Sequence, residues 1–274
     1  MLTQTTSVMW EEMQYHLIGL RYQLLQARNC PKISVLVNGS PKTGTTWMLN
    51  MIASIPGYGA IGNFNGDIQR YGDVSAGEVV HGHDWYRSEL GEILTSKGFK
   101  VILLIRDPRD QVVSRMFHVK RSQKHTWYQR FQDLTNDEAL MLCIEGREDL
   151  PAINTLTQIT SSWINSEWPI LCVRYEDLLA DPVKQFGKVL HYLGIEDQSL
   201  AKTIVKRNRF ERLSVGRRFW RQARKPGQED RSSHYRKGTI GDWKNHFKDI
   251  HVQRLKEVAG KQLIELGYEQ DLNW

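Results

Sequence analysis

Residues 39–47, GSPKTGTTW, combine two glycines, a lysine and several hydroxyl side chains, and they follow an apolar run at 33–37. The next residues, WMLNMIASI, have the composition of a helix. A glycine-containing turn between a strand and a helix exposes backbone amides at the positive end of the helix dipole, where phosphate-like groups bind. The segment therefore predicts a site for an oxyanion.

The triphosphate-loop pattern, G-x-x-x-x-G-K-[ST], narrows the choice of anion. Gly39, Gly44 and Thr46 match it, but Thr45 occupies the position of the lysine, and Lys42 lies three residues earlier. The charge that bridges the terminal phosphates of a triphosphate is therefore missing from its usual position. The loop favours an anion other than a magnesium-bound triphosphate.

A second cationic segment begins where the apolar run KVILLI, at 100–105, ends. Arg106 follows this run, and Ser114 lies eight residues later, about two turns along a predicted helix. An arginine and a hydroxyl near the start of a helix can form a second phosphate site. The alternative is structural, with Arg106 and Asp107 paired in the turn.

A third cationic segment, HYRKGTIGDWKNHF, covers residues 234–247 and places Arg236, Lys237 and Gly238 in a loop. Such a basic loop either forms a solvated face or closes on an anionic ligand. Trp47 contributes an aromatic face that either packs in the core or contacts a base. Together the three segments predict a ligand with two separate anionic groups and an aromatic base between them.

The elements that would position these residues alternate along the chain. Short apolar runs predict buried parallel strands at 33–37, 78–82, 100–105 and 169–173. Helical patterns follow them, so we expect an α/β fold with a central parallel sheet flanked by helices and a ligand site at the carboxyl ends of the strands. Residues 7–28 predict an amphipathic helix, within 1–30, that packs on the domain edge. Residues 56–77 and 214–241 predict long surface segments.

Composition sets broad limits on the class of protein. The chain has 274 residues, 40% of them hydrophobic, and a formal net charge of +6, which suits one domain with an anionic ligand or surface. Cys30, Cys143 and Cys172 are odd in number and lack zinc-site or disulfide spacing. Neither a signal peptide nor a membrane-spanning run of roughly 18 apolar residues is apparent. We expect a single domain over 1–274, without a membrane span, in the cytoplasm.

Four segments, in order along residues 39–247, resemble motifs of the cytosolic-type sulfotransferases. The matches are GSPKTGTTW with the 5′-phosphosulfate loop YPKSGTTW, IRDPRDQVVSRMFH with the 3′-phosphate segment, VRYEDLLADP with YEDL/M-x-x-x-P, and RKGTIGDWKNHF with RKGxxGDWKNxF. This resemblance implies the P-loop-kinase-like sulfotransferase fold. It also implies transfer of a sulfuryl group from 3′-phosphoadenosine-5′-phosphosulfate (PAPS) to a hydroxyl or amine of a small-molecule acceptor, with release of PAP and without a metal. We expect a bacterial member that modifies natural products.

The same resemblance implies roles for individual residues, including a role for Lys42 in stabilising the leaving phosphate. The implied contacts are Lys42, Thr43, Gly44, Thr45 and Thr46 for the 5′-phosphate and sulfate, Arg106, Ser114, Arg236, Lys237 and Gly238 for the 3′-phosphate, and Trp47, Tyr175, Asn208 and Phe210 for the nucleoside.

A histidine pair corresponds to the K-T-H motif of the family. Here the letters are His81, Gly82 and His83, directly after EVV. The alignment implies that His83 is the general base that takes the proton of the acceptor, a task for which histidine is the usual side chain. His81 stands where the family commonly has lysine, so it shares the catalytic role, exchanges it with His83, or merely packs.

The assembly and the acceptor are less defined by the sequence. The family's K-x-x-x-T-V-x-x-x-E dimer motif is not kept in KNHFKDIHVQ, so we expect a monomer or a different dimer. The segments 63–78 and 214–233 are expected to shape the acceptor pocket, with Asp67, Tyr71 and Asp73 available for polar contacts. Carbohydrates, phenols, lipids and nitrogenous natural products all remain open, although the acidic residues would suit a cationic acceptor.

Two competing functions differ in class from sulfuryl transfer. The first is a metal-dependent small-molecule kinase in which Asp107 holds magnesium. The second is a non-enzymatic protein that binds RNA or a sulfated glycan through the basic and aromatic residues at 218–225. The displaced lysine disfavours the kinase, and the binding protein leaves the loop at 39–47 unexplained, so we expect no nucleic-acid partner.

Overall fold

The structure is a computed structural model that describes residues 30–64, 66–215 and 222–274. The helix predicted within 1–30 lies almost wholly outside these residues. Five parallel strands form one sheet: β1 (Val35–Gly39), β2 (Gly59–Gly62), β3 (Glu78–His81), β4 (Lys100–Ile105) and β5 (Ile170–Arg174). The strand order is β2-β3-β1-β4-β5. The expected α/β class with a central parallel sheet is confirmed, whereas the boundary at 1–274 stays a prediction.

Helices cover both faces of this sheet. They are α1 (Thr45–Ala53), α2 (Ser88–Ser96), α3 (Pro108–Arg121), α4 (Tyr128–Gln132), α5 (Asn136–Glu145), α6 (Ile153–Ile164), α7 (Tyr175–Ala180), α8 (Pro182–Tyr192), α9 (Gln198–Arg207), α10 (Phe210–Val215) and α11 (Asp249–Glu265). Short 3₁₀ helices lie at Ile68–Asp73 and Asp242–Asn245.

Successive side chains of a strand point to opposite faces of the sheet, so the core has one apolar cluster on each face. Val35 and Val37 of β1 pack with α1, α8 and α9, while Leu36 points to the opposite face. That face packs against Tyr71 and Trp163, both fully buried. A third apolar cluster joins α3, α5, α6 and α11 beside the sheet. This packing fixes the helices whose ends surround the carboxyl edge of the sheet.

The glycine-rich region at 56–77 is only partly the surface segment that its composition predicts. It contains β2, an exposed edge strand, and a 3₁₀ helix. Phe64, Ile68, Tyr71 and Val74 are buried in the core. The composition was misleading because these four apolar side chains are scattered among glycines and polar residues, without the period of a helix or a strand.

The pairing register explains why distant motifs meet. Strand β1 lies between β3 and β4, with Val37 paired to His81 on one side and Gly39 paired to Leu104 on the other. All three strands run in the same direction, so their carboxyl ends share one edge. The loop at 39–47, the histidine pair and Arg106 therefore emerge next to one another.

Candidate active site

A cavity of about 650 Å³ opens at this edge of the sheet. The candidate residues that line it are Lys42, Gly44, Thr45, Thr46, Trp47, His81, His83, Arg106, Ser114, Tyr175, Phe210, Arg236, Lys237 and Gly238. Thr43 and Asn208 do not line it. The structure thus gathers side chains from segments almost 200 residues apart around one space.

The loop at 39–47 has the backbone shape of an anion cradle. Gly44 precedes α1 with a φ of 98°, and no side chain caps the first turn of this helix. A Cβ atom on Gly44 would lie 2.9 Å from Cδ2 of Tyr175, so the loop has no room for a larger residue here. Thr43 is buried, and its hydroxyl donates to the Ser40 carbonyl at 2.8 Å. Thr43 therefore supports the turn, while the uncapped amides of α1 begin beside the cavity.

Lys42 occupies a strongly cationic environment. Its own φ of 74° is in the left-handed region, which turns the residue into the loop. Burial, and then the charges of Arg121 and Arg106, lower the pKa of the Lys42 amine to about 7. The described lining includes no carboxylate. The Lys42 amine therefore has no carboxylate partner in the described lining, and a bound anion could pair with it.

Arg106 connects the loop to α3. Its Nη1 donates to the Lys42 carbonyl at 3.1 Å, and its guanidinium carbon lies 4.3 Å from the centre of the Tyr175 ring. Its buried Nε has no hydrogen-bond partner among the described residues. Asp110 is 3.9 Å from Arg106 and also accepts bonds from the amides of Gly241 and Trp243. Asp110, which sequence reasoning missed, thus ties the start of α3 to the residues after the basic loop.

Asp107 does not pair with Arg106. Its carboxylate caps α3 by accepting from the Arg109 amide at 2.8 Å and receives Nη2 of Arg109 at 2.7 Å. Glu269 bonds to the other side of the Arg109 guanidinium. The carboxylate of Asp107 is therefore engaged in structural bonds and does not line the cavity. This arrangement removes the basis for assigning Asp107 a metal ion.

The basic loop is held beside the cavity by its own acidic neighbours. Arg236 and Lys237 each bond to Asp242 at 2.5 Å, and Arg236 also bonds to Glu229. Although burial opposes ionisation, the His246 ring at 3.3 Å and the hydrogen bonds from Lys237 and Arg236 hold the pKa of Asp242 well below its usual range. The ligand atoms of Glu229, Asp242 and His246 lie within 4.8 Å of one another, close enough to hold a metal ion. However, Arg236 already bonds to both carboxylates, and Lys237 bonds to that of Asp242.

Glycine is required at position 238. Gly238 has a φ of 65°, and a Cβ atom there would lie 2.6 Å from Cδ2 of Phe210. Arg224 donates to the carbonyls of Tyr235 and Arg236, which holds the backbone just before this glycine. Arg224 therefore has a structural contact, and half of the basic stretch proposed for RNA, 218–225, lies outside the described residues.

Aromatic side chains form one wall of the cavity. The rings of Trp47 and Tyr175 meet edge to face at 6.1 Å, and Phe210 lies nearby in the lining. Nε1 of Trp47 donates to the Asn208 carbonyl at 2.9 Å. The Asn208 amide itself is buried and donates to Ser54 at 3.1 Å. The structure therefore places Asn208 behind Trp47, where it orients that ring.

His83 has a defined tautomer. Its Nδ1 lies 2.7 Å from the carbonyl oxygen of Gly39, which can only accept, so Nδ1 carries the hydrogen and Nε2 keeps its lone pair. Burial is the main cause that lowers the pKa of His83, so the ring is neutral near pH 7. His81 lies edge to face with His83, with ring centres 6.3 Å apart, and its buried Nδ1 has no described partner.

A buried network that the motifs do not include holds the His83 segment. Asn38 donates to the Asp84 carbonyl at 2.8 Å and accepts from the Asp84 amide at 3.0 Å. The Asp84 carboxylate accepts from Tyr71 at 2.6 Å, and Trp163 donates to the Asp84 carbonyl at 2.7 Å. Tyr71 is thus a support for the histidine segment rather than a contact for an acceptor. No described residue of 63–78 lines the cavity, so a role of that segment in binding the acceptor stays a prediction that the lining does not support.

The part of the lining that the candidate residues leave out is formed by Pro41, Arg115, His118, His125, Pro151, Leu156, Leu179, Leu213, His234, Tyr235 and Thr239. Of these, Arg115 and His118 fall within the segment that resembles the 3′-phosphate motif, and the segments at 39–47, 173–182 and 234–247 contain Pro41, Leu179, His234, Tyr235 and Thr239. Sequence reasoning assigned none of these seven residues a role. The remaining four, His125, Pro151, Leu156 and Leu213, lie outside those segments and carried no motif signal.

The sequence model described as Sulfotransferase domain matches residues 85–267. The chain belongs to this sulfotransferase family. The matched range includes Arg106 and the basic loop, while the loop at 39–47 and the histidine pair precede it. The expected enzyme class, sulfotransferase, is thereby confirmed.

Named relatives extend the likeness across most of the chain. Sulfotransferase 1C2 of Oryctolagus cuniculus is 24% identical over 267 residues, covering 84% of this chain and 82% of the relative. Sulfotransferase 1E1 of Bos taurus is 25% identical over 255 residues, covering 85% and 81%. Flavonol 3-sulfotransferase of Flaveria bidentis is 20% identical over 263 residues, covering 85% and 82%.

Solved structures share the fold. A mouse sulfotransferase complexed with PAP superposes with a TM-score of 0.62 at 22% identity, covering 84% of each chain. Retinol dehydratase, in complex with androsterone and inactive cofactor PAP, gives 0.55 at 15% identity, covering 89% of this chain and 85% of its own. The sulfotransferase fold expected from the sequence is therefore confirmed. Among the described residues, no helix combines the length and apolar character needed to cross a membrane.

Proposed function

We propose that this sulfotransferase transfers a sulfuryl group from PAPS to a hydroxyl or amine of a small-molecule acceptor and releases PAP. The observation that carries the proposal is that one cavity contains both the anion-binding loop and His83, whose Nε2 is free to accept a proton. The mouse neighbour was solved with PAP, which supports the same nucleotide here.

The lining fits a donor with two anionic ends and a flat base. Lys42, Gly44, Thr45 and Thr46 would bind the 5′-phosphate and sulfate, since uncapped amides and a lysine surround that space. Arg106, Ser114, Arg236, Lys237 and Gly238 would bind the 3′-phosphate, and Trp47, Tyr175 and Phe210 would contact the nucleoside. The unpartnered Nε of buried Arg106 is a donor that a phosphate oxygen would satisfy.

Catalysis then needs one proton transfer and one stabilised leaving group. As the acceptor oxygen or nitrogen bonds to sulfur, the bond from sulfur to the phosphate oxygen breaks, and the acceptor proton passes to Nε2 of His83. Charge that develops on the departing phosphate is stabilised by Lys42 and the amides of α1. These fixed groups supply the stabilisation, so we propose a reaction without a metal.

Other expectations accompany this proposal. We propose a small-molecule acceptor, no nucleic-acid partner and a cytoplasmic location. The cytoplasmic location is supported by a relative, cytosolic sulfotransferase 17 of Arabidopsis thaliana, which is 25% identical over 191 residues. A monomer or a dimer of another kind stays a prediction. Lys248, which departs from the family's dimer motif, bonds within the chain to Asp137.

Separate histidine variants test the assignment of the base. We expect His83→Ala to lower kcat by about 10²- to 10⁴-fold, the usual contribution of general-base catalysis, and His81→Ala to cost less. The midpoint shift caused by PAP should persist in both variants, which controls for folding and donor binding. Near-normal turnover in His83→Ala together with an inactive His81→Ala would reverse the assignment.

A further inference from the structure

Arg115 is a buried cation at the end of the cavity formed by α3, the loop after it and Pro151. Only 7% of its surface is exposed, and it lines the cavity. Its Nη1 donates to the Pro151 carbonyl at 2.6 Å, and none of the ion pairs among the described residues includes it. A buried guanidinium without an anionic partner is costly, which points to a ligand that supplies the missing charge.

Two histidines beside Arg115 are hydrogen-bond donors. Nδ1 of His125 accepts from the Trp127 amide at 3.1 Å, and Nδ1 of His118 accepts from the Arg121 guanidinium at 3.0 Å. The Trp127 amide and the Arg121 guanidinium can only donate, so the Nδ1 atom of each histidine must be the acceptor. Both neutral rings therefore carry their hydrogen on Nε2, and both line the cavity, with ring centres 6.0 Å apart.

This end of the cavity thus presents a guanidinium and two imidazole donors, beside the apolar surfaces of Pro151 and Leu156. No acidic side chain of the described lining competes for these donors. The contacts of Arg115 are with Pro151 and the neighbourhood of His125, rather than with the loop at 39–47 or the basic loop. The described hydrogen bond of Arg115 is therefore not shared with the groups proposed to bind the donor phosphates, while His118 lies near enough to Lys42 for the charge of that lysine to lower its pKa.

We infer that the acceptor of this sulfotransferase carries an anionic oxyanion group, such as a carboxylate or a phosphate, that binds to Arg115, His118 and His125. The inference rests on the proposed function, since it names the acceptor class of the same site. It replaces the expectation of a cationic acceptor, whose supporting residues Asp67 and Asp73 do not line the cavity. The apolar side chains in the same region suit an acceptor whose body is apolar.

The test measures binding to the protein loaded with PAP, by calorimetry at pH 7.5. The probes are 4-hydroxyphenylacetate, its neutral amide 4-hydroxyphenylacetamide, and 4-hydroxybenzylphosphonate, which separates carboxylate from phosphate-like preference. We expect at least one anionic probe to bind about 10- to 100-fold more tightly than the amide, the range for charge-assisted bonds. Arg115→Gln should abolish this preference, and Arg115→Lys should retain part of it.

Arg174→Gln is the matched control, because Arg174 also donates to a backbone carbonyl, that of Leu266, but lies outside the cavity. It should keep the preference for the anionic probe. Equal binding of all three probes by the wild-type protein, or an unchanged preference in Arg115→Gln, would overturn the inference. Loss of PAP binding in Arg115→Gln would overturn it too, by assigning Arg115 to the donor. Absence of PAP binding by the wild-type protein would instead refute the proposed function, and the probes can then be compared on the free protein.

Discussion

The depressed pKa of Lys42 predicts a specific pH dependence of donor binding. In the free protein this pKa is about 7, because the amine is buried near Arg121 and Arg106. A bound 5′-phosphate would favour the charged amine and return the pKa toward its ordinary value near 10.4. Above pH 7, the binding of PAP must then be accompanied by protonation of the Lys42 amine. The Kd for PAP should therefore rise about tenfold for each pH unit between 7.5 and 9, which is about 1.4 kcal/mol per unit.

Calorimetry measures both parts of this prediction. Titrations with PAP at pH 7.5, 8 and 9, each in two buffers with different ionisation enthalpies, give Kd and the number of protons taken up. At pH 8 we expect about 0.9 proton per PAP, since roughly one molecule in eleven is already protonated. Phosphate monoesters, with a second pKa of about 6, are fully ionised in this range and do not contribute. Lys42→Arg should bind with little pH dependence. A flat Kd and no proton uptake in the wild-type protein would refute the assigned role of Lys42.

Three further variants or conditions test the site and its supports. Gly238→Ala should weaken PAP binding by at least about tenfold in calorimetry. The added Cβ atom would lie 2.6 Å from Cδ2 of Phe210, so the Phe210 ring would have to move. Unchanged affinity would show that the loop adapts. Asn38→Ala should cost about 1–3 kcal/mol in denaturant unfolding, since it leaves the buried Asp84 amide unpaired and removes one of the two donors to the Asp84 carbonyl, and a loss below about 0.5 kcal/mol would contradict the network. Burial and the charges of Lys42 and Arg121 lower the pKa of His118 in the folded protein to about 3. As the pH drops below about 6.5, the unfolded chain therefore binds a proton at His118 that the folded protein does not bind, and the free energy of unfolding falls. Between pH 7 and 5, the free energy of unfolding from thermal melts should fall by about 1–2 kcal/mol less in His118→Gln than in the wild-type protein. Identical pH profiles of the two proteins would exclude this contribution.

The strands could be predicted because buried parallel strands have continuous apolar sequences. The runs at 33–37, 78–82, 100–105 and 169–173 correspond to β1, β3, β4 and β5 with shifts of no more than two residues at either end. Strand β2 was missed because GAIG is short, lies at the sheet edge and is largely exposed. Its stability comes from pairing with β3, a tertiary contact that local sequence does not encode.

The candidate site could be predicted where a motif is present, and most simply where that motif follows a strand. The loop at 39–47, His83 and Arg106 meet because parallel strands share a carboxyl edge, which a sequence pattern can indicate. Side-chain direction is a different matter. Thr43 and Asn208 were assigned to the same donor site, yet the structure turns both away from the cavity to hold neighbouring atoms.

The acceptor end was beyond sequence reasoning for another physical reason. Arg115 on α3, His125 in the following loop and Pro151 before α6 meet only because α3 and α6 pack in one apolar cluster. A single arginine in a helix normally indicates a solvated face, so the charge of Arg115 argued against burial although its neighbours Val113 and Met116 are apolar. The acidic insert at 63–78 was favoured in its place because charge is visible in a sequence and packing is not.

The most direct test of the central claim is chromatographic measurement of PAP released from PAPS by the purified protein, with EDTA present and with a mixture of phenol and amine acceptors. We expect acceptor-dependent release of PAP, a matching sulfated product in the mass spectrum, and loss of both in His83→Ala. Persistence of intact PAPS with every acceptor, while magnesium and ATP give a phosphorylated product, would contradict it.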